Sequence, residues 1–185
     1  MSTSAGSQPR QPRGVPTGGQ WRVTPRPEGP VLCEPRAVPA AAGTGRLGQV
    51  VREVLHSSAA FAILDLHPAT KDSDFGQGGC KVAALALHSI LPGSEVHAIK
   101  FAGSDAPRHL VVFYRGKYLD RDGAQSERKL LDTASQDWFV DRSQLSVGPV
   151  TDEDIERSEA PDPVDEATGE RLSKKLAGLL RREVR

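Results

Sequence analysis

Gly76-Gln77-Gly78-Gly79-Cys80-Lys81-Val82-Ala83-Ala84-Leu85-Ala86-Leu87-His88-Ser89-Ile90-Leu91-Pro92-Gly93 is the stretch around which the chain is organised. Val82, Ala83, Leu85, Ala86, Leu87, Ile90 and Leu91 make a helix from Cys80 to Leu91 apolar over most of its surface, as expected of a helix buried in a domain centre. Pro92-Gly93 stops it. Gly78 and Gly79 allow close backbone approach to a ligand because they carry no Cβ. Cys80 therefore opens the helix, where unpaired backbone N–H groups and the macrodipole favour an anion such as a thiolate.

Downstream, Val96 to Phe101 reads as a strand, His109-Leu-Val-Val-Phe-Tyr114 as a clearer one, Arg115-Gly116 as a turn and Lys117-Tyr-Leu-Asp120 as the return strand. With the turn centred on Arg115-Gly116, position 113 opposes 118, 111 opposes 120 and 109 opposes 122. His109, Asp120 and Asp122 then project from one face of the hairpin. A carboxylate beside a histidine fixes its tautomer and stabilises the imidazolium. The imidazole in turn withdraws a thiol proton and returns it to a leaving group. Asp120 is the expected orienter, with Asp122 as the alternative, because Asp122-Gly123 also reads as a turn. Gln77 and the Cys80 N–H are candidate oxyanion donors. The plainer account makes Cys80 a space-filling thiol, His109 structural and the aspartates two solvated acids.

Upstream, Leu47, Val50, Val51, Val54 and Leu55 recur at helix spacing, with Thr44 as a candidate cap. Phe61 to Leu66 either extends that helix or begins a short strand, and His67-Pro68 breaks the pattern. Gln125 to Ala134 reads as a short helix and Trp138 to Val140 as a final strand or buried segment. Near the end, Leu172, Leu176, Leu179 and Leu180 form an apolar stripe on a helix rich in Lys and Arg, which docks on the domain, pairs with a partner or stays partly free.

Only 37% of the 185 residues are hydrophobic, a deficit concentrated at the ends of the chain. The expected organisation is a disordered Pro/Gly-rich tail (1–43), a domain (44–148), an acidic linker (149–169) and a basic amphipathic helix (170–185). Lys+Arg and Asp+Glu are both 24, so no global field points to nucleic acid or an anionic membrane. Two cysteines in unlike settings, Cys33 and Cys80, do not make a disulfide framework, and no apolar run is long enough to span a membrane. A reducing, cytoplasmic setting is expected. With no CxxC or HExxH pattern, neither a metal nor a cofactor is expected. The string from Gln11 to Trp21 resembles a leader found on otherwise unrelated actinobacterial and phage proteins, and carries no known chemistry.

Gly79-Cys80 opening an Ala/Leu-rich helix, His109 leading a Val-rich strand and Tyr118-Leu119-Asp120 closing a hairpin together resemble the papain-like cysteine-enzyme superfamily, including its transglutaminase-like and deamidase-like branches. The resemblance covers about residues 74–125. It implies an α+β fold with a papain-like core, the Cys80 helix packed on a small antiparallel sheet. It also implies acyl transfer at an amide bond through a thioester, as a peptidase, deamidase or transglutaminase-like enzyme. Cys80 would be the nucleophile, His109 the general base and Asp120 the orienter, with a protein, peptide or small amide as substrate. Two features depart from the pattern. Gln77 lies nearer the cysteine than the oxyanion glutamine of papain-type enzymes does, and Lys81-Val82 stands where peptidases commonly carry a Trp. The rival expectation is a non-catalytic binding protein of the same fold, phage- or plasmid-associated.

Overall fold

The protein is seen in a computed structural model that describes residues 43–151 and 166–184, apart from Ala69, Asp72, Gln77 and Asp105. Most of the expected N-terminal tail, with Cys33, lies outside the described residues, as do 152–165 of the expected acidic linker and the candidate oxyanion donor Gln77. The described chain is α+β: five helices and a five-stranded antiparallel sheet.

Helix α1 (Thr44–Leu55) starts on the Gly43 carbonyl, which accepts from the Arg46 and Leu47 N–H groups. Thr44 is thus the first helical residue, and no side chain caps α1, contrary to the sequence expectation. Helix α2 (Ser58–Leu64) begins afresh because the Ser57 hydroxyl accepts from the Ala60 N–H at 3.2 Å. That cap makes Phe61–Leu64 helical and rules out the short strand. Helix α3 (Cys80–Ile90) follows, and then strands β1 (Glu95–Phe101), β2 (Pro107–Tyr114), β3 (Lys117–Asp120) and β4 (Gly123–Gln125).

Helix α4 (Glu127–Trp138) is capped by the Ser126 hydroxyl, so Gln125 belongs to a strand and not to the helix. Trp138 to Val140 is no strand. Trp138 ends α4, and Phe139 takes a left-handed conformation (φ 55°) with its side chain 95% exposed. The last strand is β5 (Leu145–Pro149), which pairs along β1 from His97 to Phe101 and completes the order β4-β3-β2-β1-β5. Helix α5 (Glu166–Glu183) closes the described chain.

Alternation along β2 divides the core. Val112 and Tyr114 face α1, α2, α3 and α5, whereas Val111 faces the smaller layer of Ile99, Tyr118, Leu130, Leu131, Ala134 and Leu145 beneath α4. The leucine stripe on α5 docks on this domain, with Leu172, Leu176 and Leu180 fully buried, chiefly against α3. Burying each of them is worth about 2 kcal/mol, so α5 is part of the fold. It also covers the side of α3 that the sheet leaves open, which explains why α3 is apolar nearly all round.

Candidate active site

The loop before α3 sets the position of Cys80. Asp74 and Gly78 form a β-bridge, the Gly79 N–H bonds the Asp74 carbonyl at 2.9 Å, and the Gly76 N–H bonds Asp74 Oδ1 at 2.6 Å. A Cβ on Gly79 would stand 2.8 Å from the Asp74 carbonyl oxygen, so only glycine fits without displacing backbone. Arg121 joins this loop to the β3–β4 turn. Its Nη1 is 2.8 Å from Asp74 Oδ2, and its guanidinium lies where a Gly76 Cβ would be. The loop before α3 and the hairpin that carries Asp120 are thereby held together.

His109 is aimed by an irregularity in the sheet. Ile99 pairs with His109, but the next pair is Lys100 with Pro107, so Arg108 is the extra residue of a β-bulge. Bulges re-aim a side chain locally and increase twist. The β2–β3 turn has positive φ at both Arg115 and Gly116, the type I′ arrangement, and pairs Phe113 with Tyr118. That register sets Asp120 on the His109 face. His109 Nε2 stands 3.6 Å from Asp120 Oδ2, with both side chains over nine-tenths buried. This is an ion-pair separation and not a closed hydrogen bond; catalytic contacts of this kind commonly tighten when substrate binds.

Asp120 is itself held. Its Oδ1 accepts from the Asp122 N–H at 2.8 Å and from Gln125 Nε2 at 2.9 Å. Asp122 therefore contributes a backbone donor to Asp120, while its own carboxylate lies half-exposed, 4.0 Å from His56 Nε2. Among the described residues the carboxylate paired with His109 is Asp120. Gln125, buried beside it, escaped the sequence reading because 123–125 was not recognised as a strand. The signal was the Asp122-Gly123 turn. Gly123 at φ 90° returns the chain as β4 and brings Gln125 opposite Tyr118, on the Asp120 face.

Cys80 is partly buried where the start of α3 meets β2. Burial pushes its thiol pKa up. The neighbouring His109 imidazole, together with the Leu110 and Lys81 N–H groups, outweighs that, and the net value lies below the ordinary 9.0. Burial likewise pushes His109 down. Asp120 and the Cys80 thiolate outweigh it and raise the imidazole to about 10. Both shifts favour a thiolate–imidazolium pair. With Nε2 directed at Asp120, Nδ1 is the ring nitrogen left for the sulfur; it is buried and closes no hydrogen bond of ordinary length.

A cleft of about 320 Å³ between α4 and the β3–β4 turn opens on His109 and Asp120. Of the other histidines, His88 is engaged with Ser94 at 3.0 Å and His97 with Glu95 at 3.2 Å. Among the described residues no group of three or more His, Cys, Asp or Glu side chains is placed to hold a metal ion, and no helix is long and apolar enough to cross a membrane. No family model, curated protein or solved structure matches this chain.

Proposed function

We propose that the protein is a thiol-dependent acyl-transfer enzyme of papain-like type acting on an amide bond, with Cys80 as nucleophile, His109 as acid–base and Asp120 as orienter. The observation that carries this reading is the pairing at the start of α3: a thiol whose pKa is lowered by a neighbouring buried imidazole, the other nitrogen of which faces a buried carboxylate. A space-filling cysteine needs no such partners, and burial alone would have raised its pKa.

In this mechanism the Cys80 thiolate attacks the amide carbon and the carbonyl oxygen takes up the negative charge. N–H groups in the first turn of α3 have no intrahelical acceptor and stabilise that oxyanion. The His109 imidazolium gives its proton to the amide nitrogen, the C–N bond breaks, the amine leaves and a thioester remains on Cys80. A water or amine then attacks the thioester carbon and gives a proton to His109. The C–S bond breaks, which regenerates the thiolate–imidazolium pair. Asp120, fixed by Gln125 and the Asp122 N–H, stabilises the imidazolium before and after transfer.

The test is a small activated ester, p-nitrophenyl acetate, followed for a burst of p-nitrophenolate and by intact mass. A stoichiometric burst with one acetyl group on Cys80, absent in Cys80→Ala and His109→Ala, is expected. A wild-type protein that shows no burst and no acetylated Cys80 refutes the enzyme reading and leaves the binding-protein alternative.

A further inference from the structure

We infer that the cleft between α4 and the β3–β4 turn receives the leaving-group half of the substrate and selects a cationic side chain there. The inference rests on the acyl-transfer reading, which requires His109 to hand a proton to the departing amine. His109 is 7% exposed and lines this cleft together with Asp120 and with Gly76 of the loop that leads into Cys80. An amine that departs past His109 enters this space. At about 320 Å³ the cleft is at the small end of ligand pockets, roughly 300–1,000 Å³, and suits one long side chain with its backbone.

The walls favour positive charge. Three carboxylates line the cleft: Asp120, Asp122 and Asp137. Asp120 is balanced by His109. The one lining cation besides His109 is Arg121, which is spent on Asp74 at 2.8 Å and reaches Asp137 only at 4.0 Å. Asp137 thus keeps most of its charge for an occupant, and Asp122, which stands 4.0 Å from His56 Nε2, adds to it. Two aromatic side chains flank them. Trp138 is fixed edge-on against Phe101 with ring centroids 5.7 Å apart, while Phe139 projects 95% exposed at the rim. Carboxylates beside aromatic faces attract a guanidinium or ammonium group through both its charge and the ring quadrupole.

By microscopic reversibility, the site from which an amine leaves is also the site at which an amine attacks. The test forms the acetyl-enzyme with p-nitrophenyl acetate and then measures its breakdown with added argininamide or norleucinamide. The amine nitrogen attacks the thioester carbon, the C–S bond breaks, His109 takes the amine proton, and the N-acetylated amide departs. Argininamide should reach half-maximal acceleration at a concentration about tenfold lower than norleucinamide. That ratio should fall toward one in Asp137→Asn and in Phe139→Ala, and at high salt for the wild type. Both positions are surface-exposed, so circular dichroism should show intact folds. Equal potency of the two amines in the wild type, or a ratio untouched by both variants, overturns the cationic subsite while the enzyme reading stands. Absence of any Cys80-dependent burst overturns both together.

Discussion

Replacing His109 with alanine removes the largest influence holding the Cys80 thiol below its ordinary pKa of 9.0 and leaves burial, which acts in the opposite direction. Only the Leu110 and Lys81 N–H groups then oppose burial, so the variant thiol should titrate higher than the wild type and carry less thiolate at pH 7. Thiolate fraction is only part of the rate, since a less basic thiolate is also a weaker nucleophile. For a Brønsted coefficient near 0.5, each unit of pKa lowering gains tenfold in thiolate and loses about threefold in nucleophilicity, a net gain of about threefold below both pKa values. Iodoacetamide alkylation of Cys80, read by intact mass from pH 5 to 10, should show a wild-type profile whose midpoint lies below 9.0. His109→Ala should rise at higher pH than the wild type and run about threefold slower at pH 6–7 for each unit by which its pKa is raised. Superimposable profiles would mean that no thiolate–imidazolium pair exists and would remove the chemical basis of the triad.

Three further outcomes follow from the same geometry. In the proposed mechanism the His109 imidazolium protonates the leaving group, and its pKa is raised from 6.5 to about 10, so the rate of amide-bond acylation should hold through pH 8 and fall as pH rises through about 10; a fall centred near 6.5 contradicts the Asp120 and Cys80 pairing. Gln125→Leu leaves Asp120 Oδ1 with only the Asp122 N–H, costs about 1–3 kcal/mol in stability and should move that alkaline limb, which a purely structural loss would leave in place. Leu176→Ala in α5 should cost about 2–5 kcal/mol in urea unfolding, since the side chain is fully buried; a cost under 0.5 kcal/mol would mean that α5 is not docked on α3 in solution.

Local chemistry carried much of this protein in its sequence. The apolar run after Gly79-Cys80 could only be a buried helix, and the Arg115-Gly116 turn fixed the register that puts His109 and Asp120 on one face, because strand periodicity leaves no freedom once the turn is placed. Other features depended on partners distant in sequence. Leu145–Pro149, with its glycine and proline, has little strand character of its own and becomes β5 by satisfying the outer edge of β1. The leucine stripe of α5 fitted three fates equally, until α3 offered it an apolar face to cover. Along the chain Asp120 was preferred to Asp122 only because Asp122-Gly123 reads as a turn; the β3–β4 return separates them in space, with Asp122 toward His56 and Asp120 toward Gln125 and His109. Spacing along one hairpin is set by covalent geometry and survives in the sequence. Which polar groups share a buried site depends on contacts between remote segments, and only the tertiary fold decides that.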